Sequence, residues 1–183
     1  MSNKEKIYQL IDKYYANNPP LHNILLKHSE SVAEKALKIV DNHHLINVDR
    51  DFVEEAALLH DIGVCMTNAP TIHCYGTEPY IRHGIIGADI VKNEGLPQYA
   101  RVCARHTGTG LSVSEIIKND LPLPHIDLIP ETIEEQIICF ADKFFSKTKL
   151  DAEKTIEQVR KTLMKFGKQP VCQFDRWCEI FLF

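Results

Sequence analysis

The chain has 183 residues, 44% of them hydrophobic and 25% charged, with a formal net charge of −4. That composition excludes collagen-like, low-complexity and disordered chains, and the length suits one domain that buries about two thirds of its unfolded surface. Net negative charge argues against nucleic acid as the main partner, although a local basic patch is compatible with it.

Helical periodicity dominates from the start. Ile7, Leu10, Ile11 and Tyr14 recur at helical spacing over 3–16. Asn17-Asn18-Pro19-Pro20 breaks the chain, and a long helix is predicted over about 21–45, with Leu21, Ile24, Leu25, Val32, Ala36, Ile39 and Val40 on one face. The next runs over about 49–62. Residues 64–78 hold Pro70, Gly76 and Thr77 without a period and read as a loop. Helices follow at about 79–94, 97–106 and 112–119, the last opened by a capping box of Ser112 and Glu115. Pro122, Pro124 and Pro130 forbid a continuous helix over 120–130. Helices resume at about 131–147 and at 151–167, the second ended by Gly167, and a short apolar helix near 171–182 closes the chain. There Phe174, Trp177, Cys178 and Phe181 make one apolar face, which either closes the bundle or pairs with a second subunit. No internal repeat or linker divides the chain. The expectation is all-α: a single-domain helical bundle over 1–183, with 151–183 packing onto the rest and 171–183 serving no chemistry.

The segment MSNKEKIYQL has no signal-peptide pattern, and no apolar run approaches the roughly 20 residues that span a bilayer. We expect a cytoplasmic protein with no membrane partner. Six cysteines without a CxxC pair read as small buried hydrophobes. Nine histidines are the unusual count.

What interrupts the apolar stripes is informative. His28 follows Ile24 and Leu25; His60, with Asp61 next, follows Ala56 and Ala57. His83 lies between Tyr80 and Gly87, His106 follows Val102 and Cys103, and Asp142 follows Ile138 and Cys139. Burying one such group is costly unless it is compensated. Any one alone reads as a satisfied core histidine, a cap or half of an ion pair. Five helices with the same interruption compensate one another if the side chains converge on metal, and imidazole with carboxylate suits iron, manganese, zinc or nickel. His22, His43 and His44 sit near helix ends, where a cation complements the dipole. His125 lies in a loop, as does His73, whose loop joins two candidate ligand helices.

The order His28 … His60-Asp61 … His83 … His106 … Asp142 resembles the HD superfamily of metal-dependent phosphohydrolases, in the phrases KHSESVAEKALKIV, AALLHDIG, RHGIIGADIV, ARHTG and CFADK. The likeness covers about 25–147. His60-Asp61-Ile62-Gly63 resembles the HDIG subgroup, and the added His83 and His106 resemble its dinuclear members, including the bacterial hydrolases of dinucleoside polyphosphates. The resemblance implies that His28, His60, Asp61 and Asp142 hold one metal, and that His83 and His106 hold a second, with Asp61 bridging. It implies one or two divalent ions, iron foremost and manganese next, and catalysis centred on Asp61 and His60. A small phosphorylated substrate, nucleotide foremost, would be attacked by a metal-activated water.

Many such proteins carry a lysine after the HDIG phrase; here that position is Val64. Phosphate charge must then be met elsewhere, and the candidates are Arg82, Arg105 and Lys143, each next to a ligand position. Thr107 and Gly108, at a helix end, and His73 are further candidates for substrate contact, and loops 64–78 and 120–130 are expected to shape the pocket. Two other readings stand beside the hydrolase: a non-catalytic module sensing a nucleotide or metal, and a di-iron oxygenase similar to myo-inositol oxygenase, which Val64 counts against.

Overall fold

The computed structural model describes residues 2–43 and 48–182. The predicted end of the second helix at 44–45, and the helix-end reading of His44, lie outside the described residues. Among those described, nine α-helices carry the fold: α1 (Asn3–Tyr15), α2 (Pro19–His43), α3 (Arg50–Leu59), α4 (His83–Asn93), α5 (Ala100–Arg105), α6 (Val113–Lys118), α7 (Ile133–Asp142), α8 (Ile156–Leu163) and α9 (Lys168–Phe181). The all-α expectation holds. The only strands described are β1 (Asn68–Ala69) and β2 (Cys74–Tyr75), an antiparallel pair of two residues each.

Helix starts follow local chemistry. Ser2, Ser112, Thr132 and Thr155 each make a capping box with the Glu or Gln three residues on. Pro19 and Pro20 do not precede α2 but form its first turn, where a missing N–H costs nothing. The ends depart from the periodic pattern. α3 stops at Leu59, with His60 as its cap and Asp61 opening a 3-10 turn, Ile62–Met66. The expected 131–147 helix stops at Asp142, and residues 143–155 form an irregular strap with turns. The expected 151–167 helix begins only at Ile156, because Thr155 is its cap. It ends in a 3-10 turn, Met164–Phe166, where Gly167 at φ 115° turns the chain into α9.

One core unites α1–α5 with α7–α9. Phe140 of α7 stacks on Phe174 (5.2 Å between ring centres), and the Trp177 indole N–H donates to Gln136 Oε1 at 3.0 Å. Phe174, Trp177, Cys178 and Phe181 are all buried, so this face closes the bundle. No described helix is long and apolar enough to cross a membrane.

Candidate metal centre

The six residues singled out by the broken stripes converge in two groups that share a member. His28, His60, Asp61 and Asp142 form one, and Asp61, His83 and His106 the other; within each, the candidate donor atoms lie within 4.8 Å of one another. The two oxygens of Asp61 face different partners. Oδ2 lies 3.1 Å from His28 Nε2 and 3.0 Å from His60 Nε2. Oδ1 lies 3.4 Å from both His83 Nε2 and His106 Nε2. Asp142 Oδ1 closes the first group at 3.1 Å from His28 and 3.6 Å from His60.

A single local device aims three of the rings. His60 Nδ1 lies 2.6 Å from Ala57 O, His83 Nδ1 2.7 Å from Tyr80 O, and His106 Nδ1 2.7 Å from Cys103 O. Each ring thus gives its Nδ1 proton to the carbonyl three residues back, at a helix end or in a 3-10 turn where that carbonyl is free. In the neutral ring Nε2 is then left as a bare lone pair, the state a metal ligand needs. His83 and His106 then point two lone pairs at each other, their Nε2 atoms 2.9 Å apart.

The turn that carries Asp61 is held from several sides. The Tyr15 hydroxyl donates to Ile62 O at 2.9 Å and accepts from Cys65 N at 3.1 Å. Gly63 abuts α4 so closely that a Cβ there would fall 2.2 Å from His83 O and 2.3 Å from Gly87 N. Val64 is fully buried in the core.

The residues fit divalent metal ions. His28 Nε2, His60 Nε2 and Asp61 Oδ1 are buried without a hydrogen-bond partner and Asp61 Oδ2 meets only the Lys147 ammonium, an arrangement that costs several kcal/mol unless a cation satisfies it (on the order of 1–3 kcal/mol per group). The electrostatics agree. Burial favours the neutral carboxyl of Asp61, but Lys147 and His60 outweigh it and hold its pKa well below the usual range. Asp142 is likewise held low, by Lys143 against burial. Burial lowers His83 to about 3 and also lowers His106. For His60 burial is outweighed by Asp61 and Asp142, and its pKa rises to about 9, so an incoming cation must displace a proton there.

The metal-ligand groups open into a cavity of about 450 Å³. His28 and Asp142 form its floor, and Lys143, Lys147, Lys154, Ser146 and Thr148 its polar wall. Ile72, Val159, Leu163 and Phe166 supply apolar surface. Among the candidates for substrate contact, Lys143 lines this cavity, with Nζ 2.7 Å from Asp142 Oδ2 and 3.0 Å from His106 O. Arg82 and Arg105 do not. Arg82 precedes α4 in a 3-10 turn and is turned to Glu78 (2.8 Å) and Pro122 O (3.1 Å). Arg105 is held by Glu131 and by Ile129 O at 2.8 Å. His73 is exposed at φ 59° while its neighbours Thr71 and Ile72 face the cavity. Thr107 lines an adjoining cavity of about 460 Å³, which meets the first at Gly108, Leu163 and Phe166.

Two lysines and one helix were not anticipated. Lys147 Nζ lies 2.5 Å from Asp61 Oδ2; burial disfavours its charge, but Asp61 outweighs this and raises its pKa. Lys154 donates to Lys143 O and Phe145 O, both at 3.2 Å, and so fastens the strap over the site. Helix α8 packs onto the bundle, as expected for 151–183, and also lines the cavity through Val159, Thr162 and Leu163. No sequence signal marked Lys147, because the periodic pattern assigned it to a helix that ends five residues earlier.

A family model described as HD domain matches residues 25–146. A protein of Thermoplasma volcanium named tRNA (cytidine(56)-2'-O)-methyltransferase is 33% identical over 170 residues, 92% of this chain and 44% of its own length. An uncharacterized protein of Methanocaldococcus jannaschii is 31% identical over 163 residues, 88% of this chain and 86% of its own. Among solved structures, the HD domain of the L. monocytogenes phosphodiesterase PgpH superposes with a TM-score of 0.58 at 21% identity, over 94% of this chain and 86% of that one. The same domain in complex with cyclic-di-AMP scores 0.56.

Proposed function

Because the chain belongs to the HD-domain family, we propose that it is a metal-dependent phosphohydrolase whose two ligand groups hold one divalent cation each, bridged by Asp61. The observation that carries this reading is the division of labour at Asp61: one oxygen faces His28 and His60, the other His83 and His106. Iron is the expected metal, with manganese next and zinc or nickel as further choices for the same donors. The substrate is a small phosphate ester, nucleotide foremost, as in the cyclic-di-AMP complex of the PgpH domain. Six unpaired cysteines suit a cytoplasmic setting.

When bound, the cations acidify a water and offset phosphoryl charge. The chain's own residues do the rest. His28, His60, His83 and His106 present ring nitrogens as donors, and Asp61 and Asp142 remain ionised. The Lys143 and Lys147 ammonium groups face the cavity and receive the non-bridging phosphoryl oxygens. Water oxygen bonds to phosphorus, the ester P–O bond breaks, and the leaving oxygen takes a proton derived from that water; no electron is transferred. The apolar wall of Ile72, Val159 and Leu163 limits water around the substrate.

Methyl transfer, the activity in the name of the Thermoplasma protein, is not carried over, since the match spans 44% of that protein. The test is turnover of a nucleotide panel by protein stripped with EDTA and reloaded with iron(II) or manganese(II). Metal-dependent release of phosphate or nucleotide, absent in Asp61→Ala, is expected. A chain loaded with two metals that turns over no phosphate ester overturns the proposal.

A further inference from the structure

We propose that the site acts on a single-stranded oligonucleotide, with the reacting phosphodiester at the ligand groups and the chain continuing along α8. This names the substrate class of the phosphohydrolase reading and rests on it. The net charge of −4 conceals a local asymmetry. A second groove, of about 460 Å³, continues outward from the metal-side cavity and shares Ser146, Thr148, Lys154 and Thr162 with it. Its outer wall carries Lys149, Lys161 and Lys165, all exposed.

The nearby acids are already matched. Asp151 pairs with Lys27, Glu153 with Lys35, and Glu157 with Arg160. Among the described residues, Lys149, Lys161 and Lys165 have no ion-pair partner within 4.0 Å. Lysines left unpaired in a groove that leads to a cluster suited to phosphate chemistry form a backbone track.

The second component is aromatic. Phe166 sits at the tip of the 3-10 turn after α8 and is 75% exposed, and Met164 beside it is 51% exposed. Phe166 borders both the metal-side cavity and the adjoining apolar one, which is walled by Ile81, Leu111 and Leu121. A basic groove beside an exposed ring is the arrangement that holds single strands, phosphates on ammonium groups and bases on the aromatic face. A mononucleotide would fill the inner cavity and leave the outer lysines idle.

The test uses the full chain in EDTA, so that the probe survives. Fluorescence anisotropy follows a fluorescein-labelled single strand of about 12 nucleotides, as RNA and as DNA. Separately, the manganese-loaded protein is assayed on bis(p-nitrophenyl) phosphate, which is too small to extend from the ligand groups to Lys161 and Lys165. The double variant Lys161→Glu/Lys165→Glu should bind the strand at least about tenfold more weakly and lower the salt slope by about two. Phe166→Ala should weaken binding by roughly tenfold without changing the slope. Lys6→Glu, on the exposed face of α1, should do neither, and small-ester turnover should persist in it and in the double lysine variant. No binding at about 50 mM salt, or binding indifferent to both the double variant and Phe166→Ala, overturns the track while leaving small-ester hydrolysis standing. Loss of binding in the variants, in a protein that never hydrolyses the small ester, supports the track and sinks the hydrolase reading.

Discussion

Gly63 and His83 are in backbone contact: a Cβ built on Gly63 would lie 2.2 Å from the carbonyl oxygen of His83. The glycine is two residues after Asp61, and His83 opens α4. This approach therefore sets the distance between the shared carboxylate and the second ligand group. Gly63→Ala should force the 3-10 turn and α4 apart at a cost of about 1–3 kcal/mol or more. Thermal melting should show the loss of stability, and metal analysis should show the second group emptied before the first. Full metal content at the wild-type melting temperature would refute this account of Gly63.

The two ligand groups predict separable metal losses. His83→Ala removes a donor from one group only and should reduce two metals per chain to one by elemental analysis. Asp61→Ala removes the shared donor and should abolish both sites and turnover. Equal loss of metal in the two variants would contradict a bridging Asp61.

Lys147 pairs with Asp61 Oδ2, the oxygen a cation in the first group would need. Lys147→Met should therefore bind metal more tightly than wild type in a chelator competition. Its kcat/KM on a phosphate ester should nonetheless fall by roughly tenfold or more, about 1.4 kcal/mol of transition-state stabilisation. Tighter metal with undiminished turnover would remove Lys147 from phosphate binding.

Arg82 and Arg105 are engaged with Glu78 and Glu131 and do not line the cavity. Arg82→Ala and Arg105→Ala should leave kcat/KM within roughly twofold. Each should cost at most about 1 kcal/mol of stability, as partly exposed ion pairs do. A tenfold kinetic defect in either would reinstate it as a substrate contact.

The metal-free protein should be most stable near pH 6.5. Burial first, then His106, outweighs Asp61 and holds His83 at about 3, so between 6.5 and 3 the unfolded chain binds a proton that the folded chain refuses. Stability thus falls as the pH drops through that window, by up to about 1.4 kcal/mol per pH unit. His60 does the reverse. Asp61 and Asp142 overcome burial and raise it to about 9, so the proton it retains stabilises the fold below 6.5, and that contribution is lost between 6.5 and 9. Bound metal makes His60 neutral throughout and should abolish the alkaline loss. Denaturant titrations across pH, with and without manganese, measure both limbs. An alkaline limb unchanged by metal would count against His60 as a ligand.

The caps at Ser2, Thr132 and Thr155 came with the structure, whereas the helices, the cap at Ser112 and the six His and Asp positions were legible in the sequence alone. Each is written in local periods: apolar residues three and four apart, a hydroxyl three before a Glu or Gln, a polar residue where the stripe demands an apolar one. The surroundings of the site were decided by tertiary structure. α7 stops at Asp142, so residues 143–155 leave the helical path and bring Lys147 against Asp61 and Lys154 over the cavity. Arg82 and Arg105, adjacent to ligand histidines in sequence, are instead taken up by Glu78 and Glu131. The ligands could be read because their aim follows from helix phase and from a hydrogen bond to a carbonyl three residues away. The lysines could not, because an irregular strap has no period, and only its closure against α2 and α8 determines which charges face the His and Asp cluster.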